Sequence, residues 1–287
     1  MRGITSVFML VLMLLTGCTS LTSLMFYPRQ DFPVKPDQIG LHYETVIHFA
    51  QDGTALVSWF IPAQGEGITQ AKGSILYLHG NAQNISYHLS NVAWLAAKGY
   101  NLFLLDYREY GGSEGLAKIP EVFLDAHSAM HWLVENRPLN EPLFMLGQSM
   151  GASIAAVAMG SSEDKSRFAG LILDAGFASF PGIAVDAMTR HWFLYPLALP
   201  ALTISNDYDP EDFIGNINMP LLEFHSRDDQ VVPFAQGEKL FSAATEPKQL
   251  IETHGAHILT FANLQNRKIL LDFLTAQLPV QDIPVNH

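Results

Sequence analysis

The chain has 287 residues, of which 48% are hydrophobic and 15% are charged, and its formal net charge is -12. This length and apolar content suit one large α/β domain with a substantial core. The acidic balance argues against nucleic acid or anionic lipid headgroups as binding partners. A single cysteine excludes a disulfide framework, and no internal repeat or low-complexity tract divides the chain.

The first 17 residues have the pattern of an export signal. Arg2 supplies a positive charge, and the apolar run Val7–Leu15 is shorter than the roughly 20 residues that a membrane-spanning helix needs. Thr-Gly and then Cys18, the one cysteine of the chain, follow that run. This resembles a bacterial lipoprotein signal, in which cleavage before the cysteine is coupled to lipidation. We therefore expect a signal peptide over residues 1–17 and a lipid on Cys18, with a simple signal anchor or an uncleaved N-terminus as alternatives.

The residues after the cysteine indicate where the protein is anchored. Thr19 stands where an aspartate would resemble an inner-membrane retention signal, so we expect the outer membrane of the bacterial cell envelope, facing the periplasm. More than one acyl chain would make that anchoring stable. Residues 18–40 are rich in proline and polar side chains and predict a tether, and the domain is expected over residues 41–280.

Strand-like and helix-like runs alternate along the expected domain. Residues 44–49 and 55–61 flank a turn signal and predict a hairpin at a sheet edge. Four strand-then-helix units follow, which predicts an α/β fold with a mostly parallel sheet, helices on both faces, and ligands at the carboxyl ends of the strands. The strands of these units are expected over 74–78, 100–107, 142–147 and 168–173.

One of these units carries the sequence around which the chain is organised. An apolar strand ends at Gly147, Ser149 follows, and small and apolar residues continue as a helix from Met150. Gly147, Ser149 and Gly151 form the G-x-S-x-G pattern of a nucleophile elbow, where a tight turn exposes the serine. The N–H of Met150 faces the place where an oxyanion would form. The alternative is an ordinary strand-to-helix turn.

A second loop offers another oxyanion donor. His79 and Gly80 follow the strand 74–78, and glycine lets the backbone approach a substrate closely. The donor there would be the N–H of Asn81. The alternative is a structural glycine turn with a buried histidine.

A catalytic serine needs a base, and in this kind of site the chain order is serine, acid, then histidine on a late loop. His254 and His257 meet this condition because they lie between a short strand, 250–252, and an apolar helix that is expected from Leu259. We favour His257, which is next to the helix start and follows a small Gly-Ala pair. His254 lies at the exit of the strand.

The acid is expected after the preceding strand, 220–225. Asp228 and Asp229 are both candidates. We favour Asp229, because it is held between the end of the strand and the apolar pair at 231–232, and Pro233 is expected to begin the next helix. Asp228 has the character of a solvated loop residue. Asp174 is a third candidate, at the end of the strand 168–173, where some serine hydrolases place the acid.

Five segments together resemble the α/β-hydrolases, and within them the branch of protein depalmitoylase-type thioesterases and uncharacterised lipoprotein hydrolases. The resemblance extends from about Phe26 to Leu278. The segments are HGNAQN at 79–84, DYREYGGSEG at 106–115, GQSMG at 147–151, HSRDDQVVP at 225–233 and GAH at 255–257.

The resemblance implies the α/β-hydrolase fold and a role for each matching residue. Ser149 would be the nucleophile, Asp229 the orienting acid and His257 the base. Asn81 and Met150 would be the oxyanion donors, and no cofactor is expected.

Three residues depart from the pattern of this family. Glu109, Ser226 and Ala256 stand where glycine is usual. None of them is a reacting group, although Glu109 could change the rim of the pocket.

A long insertion, 175–219, lies between the sixth and seventh predicted strands and is rich in aromatic residues and proline. Such insertions often cap the active site, so this one predicts a pocket for acyl chains or small hydrophobic esters. Packing of the cap onto the core is the alternative reason for its aromatic residues. His127 and His131 lie four apart on a predicted helix, but the H-E-x-x-H motif is absent and no metal site is expected.

Together these patterns predict a lipid-anchored serine hydrolase that cleaves ester or thioester bonds of small or acyl-chain substrates through an acyl-enzyme. Two alternatives stay open. A peptidase or amidase could use the same triad, and a non-catalytic envelope lipoprotein could carry a vestigial site. The sequence does not specify an oligomeric state.

Overall fold

The structure, a computed structural model, describes residues 21–189 and 204–278. Strands and helices alternate along it after residue 72. The ten strands of the described residues are β1 (Tyr27–Pro28), β2 (Glu44–Phe49), β3 (Ala55–Ile61), β4 (Gly73–Leu78), β5 (Ala82–Gln83), β6 (Tyr100–Asp106), β7 (Leu143–Gln148), β8 (Phe168–Asp174), β9 (Leu221–Ser226) and β10 (Lys248–Thr253).

Seven α-helices and five 3₁₀ helices occur in the same residues. The α-helices are α1 (Ile85–Val92), α2 (Glu121–Asn136), α3 (Met150–Ser161), α4 (Phe180–Thr189), α5 (Pro210–Ile214), α6 (Phe234–Ala243) and α7 (Leu264–Ala276). The 3₁₀ helices are Leu21–Met25, Pro36–Ile39, Ala93–Lys98, Glu163–Arg167 and Thr260–Ala262.

Eight strands form the central sheet in the order β10-β9-β8-β7-β4-β6-β3-β2. Only β3 runs against its neighbours, β2 and β6, and every other pairing is parallel. The predicted mostly parallel sheet with an edge hairpin is therefore confirmed. Parallel order places the carboxyl ends of β4, β7, β9 and β10 at one edge of the sheet, where the loops with the candidate residues begin.

Alternating side chains of the buried strands divide the core into two layers. In β4, Leu76 and Leu78 pack with α2 and α3, whereas Ile75 and Tyr77 pack with α1 and α7. Successive side chains of a strand point to opposite faces, so a fully apolar strand must be covered on both sides. The predicted helices on both faces are confirmed.

The N-terminal segment differs from the predicted tether. Residues 21–40 pack against the domain: β1 pairs in parallel with β5, and Phe26 is buried in the core. The proline and polar content of these residues does not indicate this packing, which rests on strand pairing, on hydrogen bonds and on one buried aromatic ring. Residues 1–17 and Cys18 lie outside the described residues. In the part of the chain that the structure describes, no helix has the length and apolarity to cross a membrane.

Two other boundaries differ from the prediction. The last helix begins at Leu264, because the Asn263 side chain caps it by accepting the N–H of Gln265 at 2.8 Å. Pro233 precedes the first turn of α6.

The insertion 175–219 contains α4 and α5, and its aromatic run 191–200 lies outside the described residues.

Acid should destabilise this fold through buried histidines. His48 in β2 has both ring nitrogens within 2.9 Å of serine hydroxyls, those of Ser58 and Ser128, and burial lowers the pKa of His48 to about 4. The unfolded chain binds this proton near pH 6.5, so the free energy of unfolding is highest above that pH and falls as the pH drops toward 4. We expect this one group to contribute at most about 3 kcal/mol to the fall.

Urea unfolding of His48→Gln and of the unchanged protein, each followed from neutral pH to about pH 4, measures this contribution. The variant should lose less stability across that range. An equal loss in both proteins would contradict the assignment.

Candidate active site

The backbone at Ser149 has the conformation that a nucleophile elbow requires. Its φ of 56° and ψ of -124° lie in a region that side chains rarely adopt, and its N–H donates to the carbonyl of Asp174 at 2.8 Å. A Cβ on Gly147 would lie 2.3 Å from the Gly151 carbonyl oxygen, and one on Gly151 would lie 2.1 Å from that of Leu78. Both positions therefore need glycine for steric reasons.

Three loops bring a serine, a histidine and an aspartate into one hydrogen-bonded chain. His257 Nε2 lies 2.8 Å from Ser149 Oγ, and His257 Nδ1 lies 2.6 Å from Asp229 Oδ2. With the ring proton on Nδ1, the imidazole donates to the carboxylate and accepts from the hydroxyl. The serine and the aspartate are each 7% exposed, so these hydrogen-bonded groups are largely shielded from water.

Asp229 is held as a charged acceptor. Its Oδ1 accepts the N–H groups of Val231 at 2.7 Å and Val232 at 2.9 Å. Burial raises the pKa of Asp229, but the hydrogen bond and charge of His257, together with these two N–H groups, outweigh burial and hold the pKa below its usual value. The carboxylate is therefore ionised at neutral pH and fixes the orientation of the imidazole.

The other candidate acids and base are engaged elsewhere. Asp228 accepts from His254 Nδ1 at 3.0 Å and from the N–H of Gly255 at 3.2 Å, and the side chains of this aspartate and histidine are 59% and 78% exposed. Asp174 is fully buried, and its two oxygens accept from Thr260 Oγ1 and Gln148 Nε2, both at 2.6 Å. The two carboxylate oxygens of Asp174 are thus occupied by these donors, and His257 Nδ1 bonds Asp229 instead.

The two residues predicted to supply oxyanion donors, Asn81 and Met150, line the same cavity as the serine. Met150 is the first residue of α3, so its N–H has no acceptor inside the helix. Asn81 is fixed from three sides: its carbonyl accepts from the Tyr27 N–H at 2.9 Å and the Tyr110 hydroxyl at 2.5 Å, and its side-chain amide donates to the Met25 carbonyl at 3.1 Å.

The sequence did not reveal the partners that fix Asn81. Tyr110 lies in the segment 106–115, which the sequence identifies only by its resemblance to the family. Met25 and Tyr27 belong to the predicted tether. His79 does not line the cavity; it is buried behind the loop, with Nε2 3.4 Å from Asp106 Oδ1.

A buried pair of ionisable side chains beneath the acid loop was also not predicted from the sequence. His225 Nε2 lies 3.1 Å from the carbonyl oxygen of Val232. The N–H of the same valine donates to the carboxylate of Asp229. Glu223, on the same face of β9, places Oε1 3.9 Å from His225 Nδ1, and burial raises the pKa of Glu223 to about 7. Only glycine fits at 237, because a Cβ there would lie 2.0 Å from the ring of His225. The alternation of Glu and His in an apolar strand was the available signal.

An apolar cavity of about 250 Å³ opens beside Ser149. Its volume lies just below the range that is usual for ligand pockets. A larger groove of about 750 Å³ lies at the opposite end of the sheet, beside Lys72 and Pro142, far from this serine. The apolar walls of the smaller cavity come from the N-terminal segment (Leu24, Met25, Tyr27), the insertion (Phe177, Ile183, Ala184, Ala187, Met188, Ile204) and the acid loop (Val231, Val232).

The remaining sequence features lie outside the cavity. Glu109, with φ of 72°, accepts the Ala117 N–H at 2.9 Å and does not line the described cavity, so it does not form the rim. Ser226 donates to the Gly255 carbonyl at 2.7 Å and thereby ties the acid loop to the histidine loop. Among residues 21–189 and 204–278, no group of three His, Cys, Asp or Glu could hold a metal ion.

Comparison with known proteins gives a consistent family. Residues 69–215 match the family model described as "Serine aminopeptidase, S33". The uncharacterised protein YfhR of Escherichia coli (strain K12) is 32% identical over 263 residues, which cover 90% of this chain and 88% of YfhR. The lysophosphatidylserine lipase ABHD12 of Danio rerio is 28% identical over 71% of this chain and 56% of its own length.

A solved structure supports the fold independently. The esterase Pf2001 of Pyrococcus furiosus superimposes with a TM-score of 0.71, covering 88% of this chain and 100% of the esterase. The two are 19% identical, so this likeness shows the fold alone. The predicted α/β-hydrolase fold is confirmed.

Substitution at the elbow should cost much stability. Gly151→Ala places a methyl group against backbone that cannot move without disturbing β4, and we expect the free energy of unfolding to fall by about 3 kcal/mol or more. Gly215→Ala is the matched control: with φ of -65° and its nearest neighbour at 3.4 Å, it should change stability by less than about 1 kcal/mol. Urea unfolding measures both, and equal effects would contradict the steric requirement.

Proposed function

Because this chain belongs to the α/β-hydrolase superfamily, in the family described as serine aminopeptidase S33, we propose that it is a serine hydrolase of carboxylic esters or thioesters. The observation that carries this proposal is the hydrogen-bonded chain from Ser149 through His257 to Asp229 at an apolar cavity. The substrate is a small or acyl-chain ester, and its acyl group occupies the cavity.

Each residue has a role that its geometry supports. His257 Nε2 takes the proton of Ser149 as the oxygen attacks the carbonyl carbon, and the N–H groups of Asn81 and Met150 bind the oxyanion. Asp229 orients the ring and stabilises its positive charge. His257 then gives the proton to the leaving alcohol or thiol, and an acyl-enzyme remains. Water, activated by the same histidine, releases the acid and restores the serine.

The apolar cavity favours acyl groups over charged or polymeric ones. Its walls include Phe177 and Ile183, and no Lys, Arg, Asp or Glu side chain is among its described lining residues. Apolar walls with a few polar groups at one end are typical of sites that bind apolar ligands. A relative that is a lysophosphatidylserine lipase supports the same substrate class.

Amide hydrolysis is the second candidate, and the description of the matching family favours it specifically. The same triad would perform it, with an amine as the leaving group. A non-catalytic binding role is less well supported, because the hydrogen bonds of the triad are all made.

The anchoring also belongs to this proposal. Cys18 carries the lipid after removal of residues 1–17, and the enzyme acts in the bacterial envelope from the outer membrane, facing the periplasm. The support is the sequence around this cysteine and its being the only one in the chain.

Steady-state hydrolysis of p-nitrophenyl esters, from acetate to palmitate, tests the proposal. We expect Ser149→Ala to abolish turnover and Asp229→Asn to lower kcat by about 10³- to 10⁴-fold, since the imidazole would lose its orientation and charge partner. Asp228→Asn is the matched control and should retain activity within about tenfold, because its carboxylate bonds the exposed His254 instead.

The chain-length profile of the unchanged enzyme then defines the acyl group that the cavity accepts. Turnover of aminoacyl amides with none of any ester would favour the amidase alternative. Absence of turnover on both panels by folded protein would contradict the proposed function.

A further inference from the structure

Exposed apolar side chains surround the mouth of the cavity. Leu24, Tyr27 and Val231 line it, and they are 68%, 61% and 52% exposed. Exposed apolar residues scattered singly over a surface need no explanation, but three at one opening form a patch, and such patches mark interaction sites. They come from two separate segments of the chain, so the patch is a property of the folded surface.

The path of the chain restricts what this patch can face. Leu24 is six positions after Cys18, and a chain spans at most about 3.5 Å per residue, so the two are within about 20 Å of each other. A domain of this size is about 45 Å across. A lipid on Cys18 therefore holds the face with the mouth near the membrane and cannot reach around to the opposite face.

The N-terminal segment is held firmly against the site. The connection over residues 18–24 therefore cannot become longer through detachment of the residues that follow it. The Tyr27 N–H donates to the Asn81 carbonyl, the Arg29 N–H donates to that of Gln83, and Phe26 is 5% exposed. Detaching it would expose this ring and break the contacts that fix the Asn81 loop. The distance from lipid to mouth is thus set by residues 18–24 alone.

We propose that Leu24, Tyr27 and Val231 form a docking surface for the lipid leaflet that holds the acyl chains of Cys18. This rests on the anchoring in the proposed function. The chain has a net charge of -12, so docking depends on insertion of apolar side chains and not on anionic headgroups. The natural occupant is a zwitterionic or neutral leaflet.

Docking in this orientation determines how a substrate arrives. The cavity opens toward the leaflet, so the acyl chain of an amphiphilic ester passes from the lipid layer to Ser149 without crossing water. The substrate class is therefore a membrane-resident ester or thioester with one acyl chain in the cavity and its polar part at the membrane surface.

Depth measurements on the lipidated full chain test this orientation. Cys18 is the only cysteine and its thiol is consumed by the lipid, so Leu24→Cys and Leu139→Cys each introduce one thiol for an environment-sensitive fluorophore. Leu139 is the matched control because it is 83% exposed and precedes β7, whereas Ser149 follows that strand about 20 Å away. Both proteins are placed in phosphatidylcholine vesicles that contain nitroxide-labelled lipids.

We expect the label at residue 24 to be quenched severalfold more than the label at residue 139 and to emit at shorter wavelength. Equal quenching at the two positions, or none at residue 24, would overturn the docking surface. So would failure of the full chain to float with the vesicles, since Cys18 would then carry no lipid. The readout needs no turnover: a protein that is quenched at residue 24 but hydrolyses no ester keeps the docking surface and loses the proposed function.

Discussion

The site depends on one constraint, the strained backbone of Ser149. A non-glycine residue in this conformation costs on the order of 1–3 kcal/mol and persists only where its surroundings determine it. Here β7 and α3 clamp the turn from both sides, and the Asp174 carbonyl accepts its N–H. This strained turn has a geometric consequence. In a nucleophile elbow the turn places the serine hydroxyl above the sheet and directs the first N–H of the following helix, here α3, to the same point.

The other residues of the site lie on loops, and hydrogen bonds to neighbouring segments hold these loops in place. Ser226 ties the acid loop to the histidine loop, and Asn81 is held by Tyr110 and by the N-terminal segment. The segment that leads to the proposed lipid is thus also a wall of the cavity and a support of the oxyanion loop. Under the proposed function, the anchor and the active site would share one short stretch of chain, and the exposed apolar residues at the opening would face the membrane.

Much of this arrangement was predictable from the sequence. Short continuous apolar runs, glycine positions and chain order identify the sheet, the elbow and the relation of Ser149 to His257, because these features follow from burial of the strands and from local steric needs. Hydrogen bonds between side chains of distant segments leave no comparable pattern in the sequence. The sequence favours Asp229 over Asp174, but the hydrogen bonds from Thr260 and Gln148 that occupy Asp174 are visible only in the structure. Residues 21–40 are held by the buried ring of Phe26 and by pairing of β1 with β5, which a segment of proline and polar residues does not indicate.

Covalent labelling with a fluorophosphonate tests the central claim, that Ser149 is an activated nucleophile. Such probes react with a serine only when a base and an oxyanion site act together on it. We expect mass spectrometry of the labelled protein to find the phosphonate on the peptide with Ser149, and His257→Ala to abolish labelling while the fold is retained. Labelling at another residue, or labelling of Ser149 that is unaffected by loss of the histidine, would contradict the account.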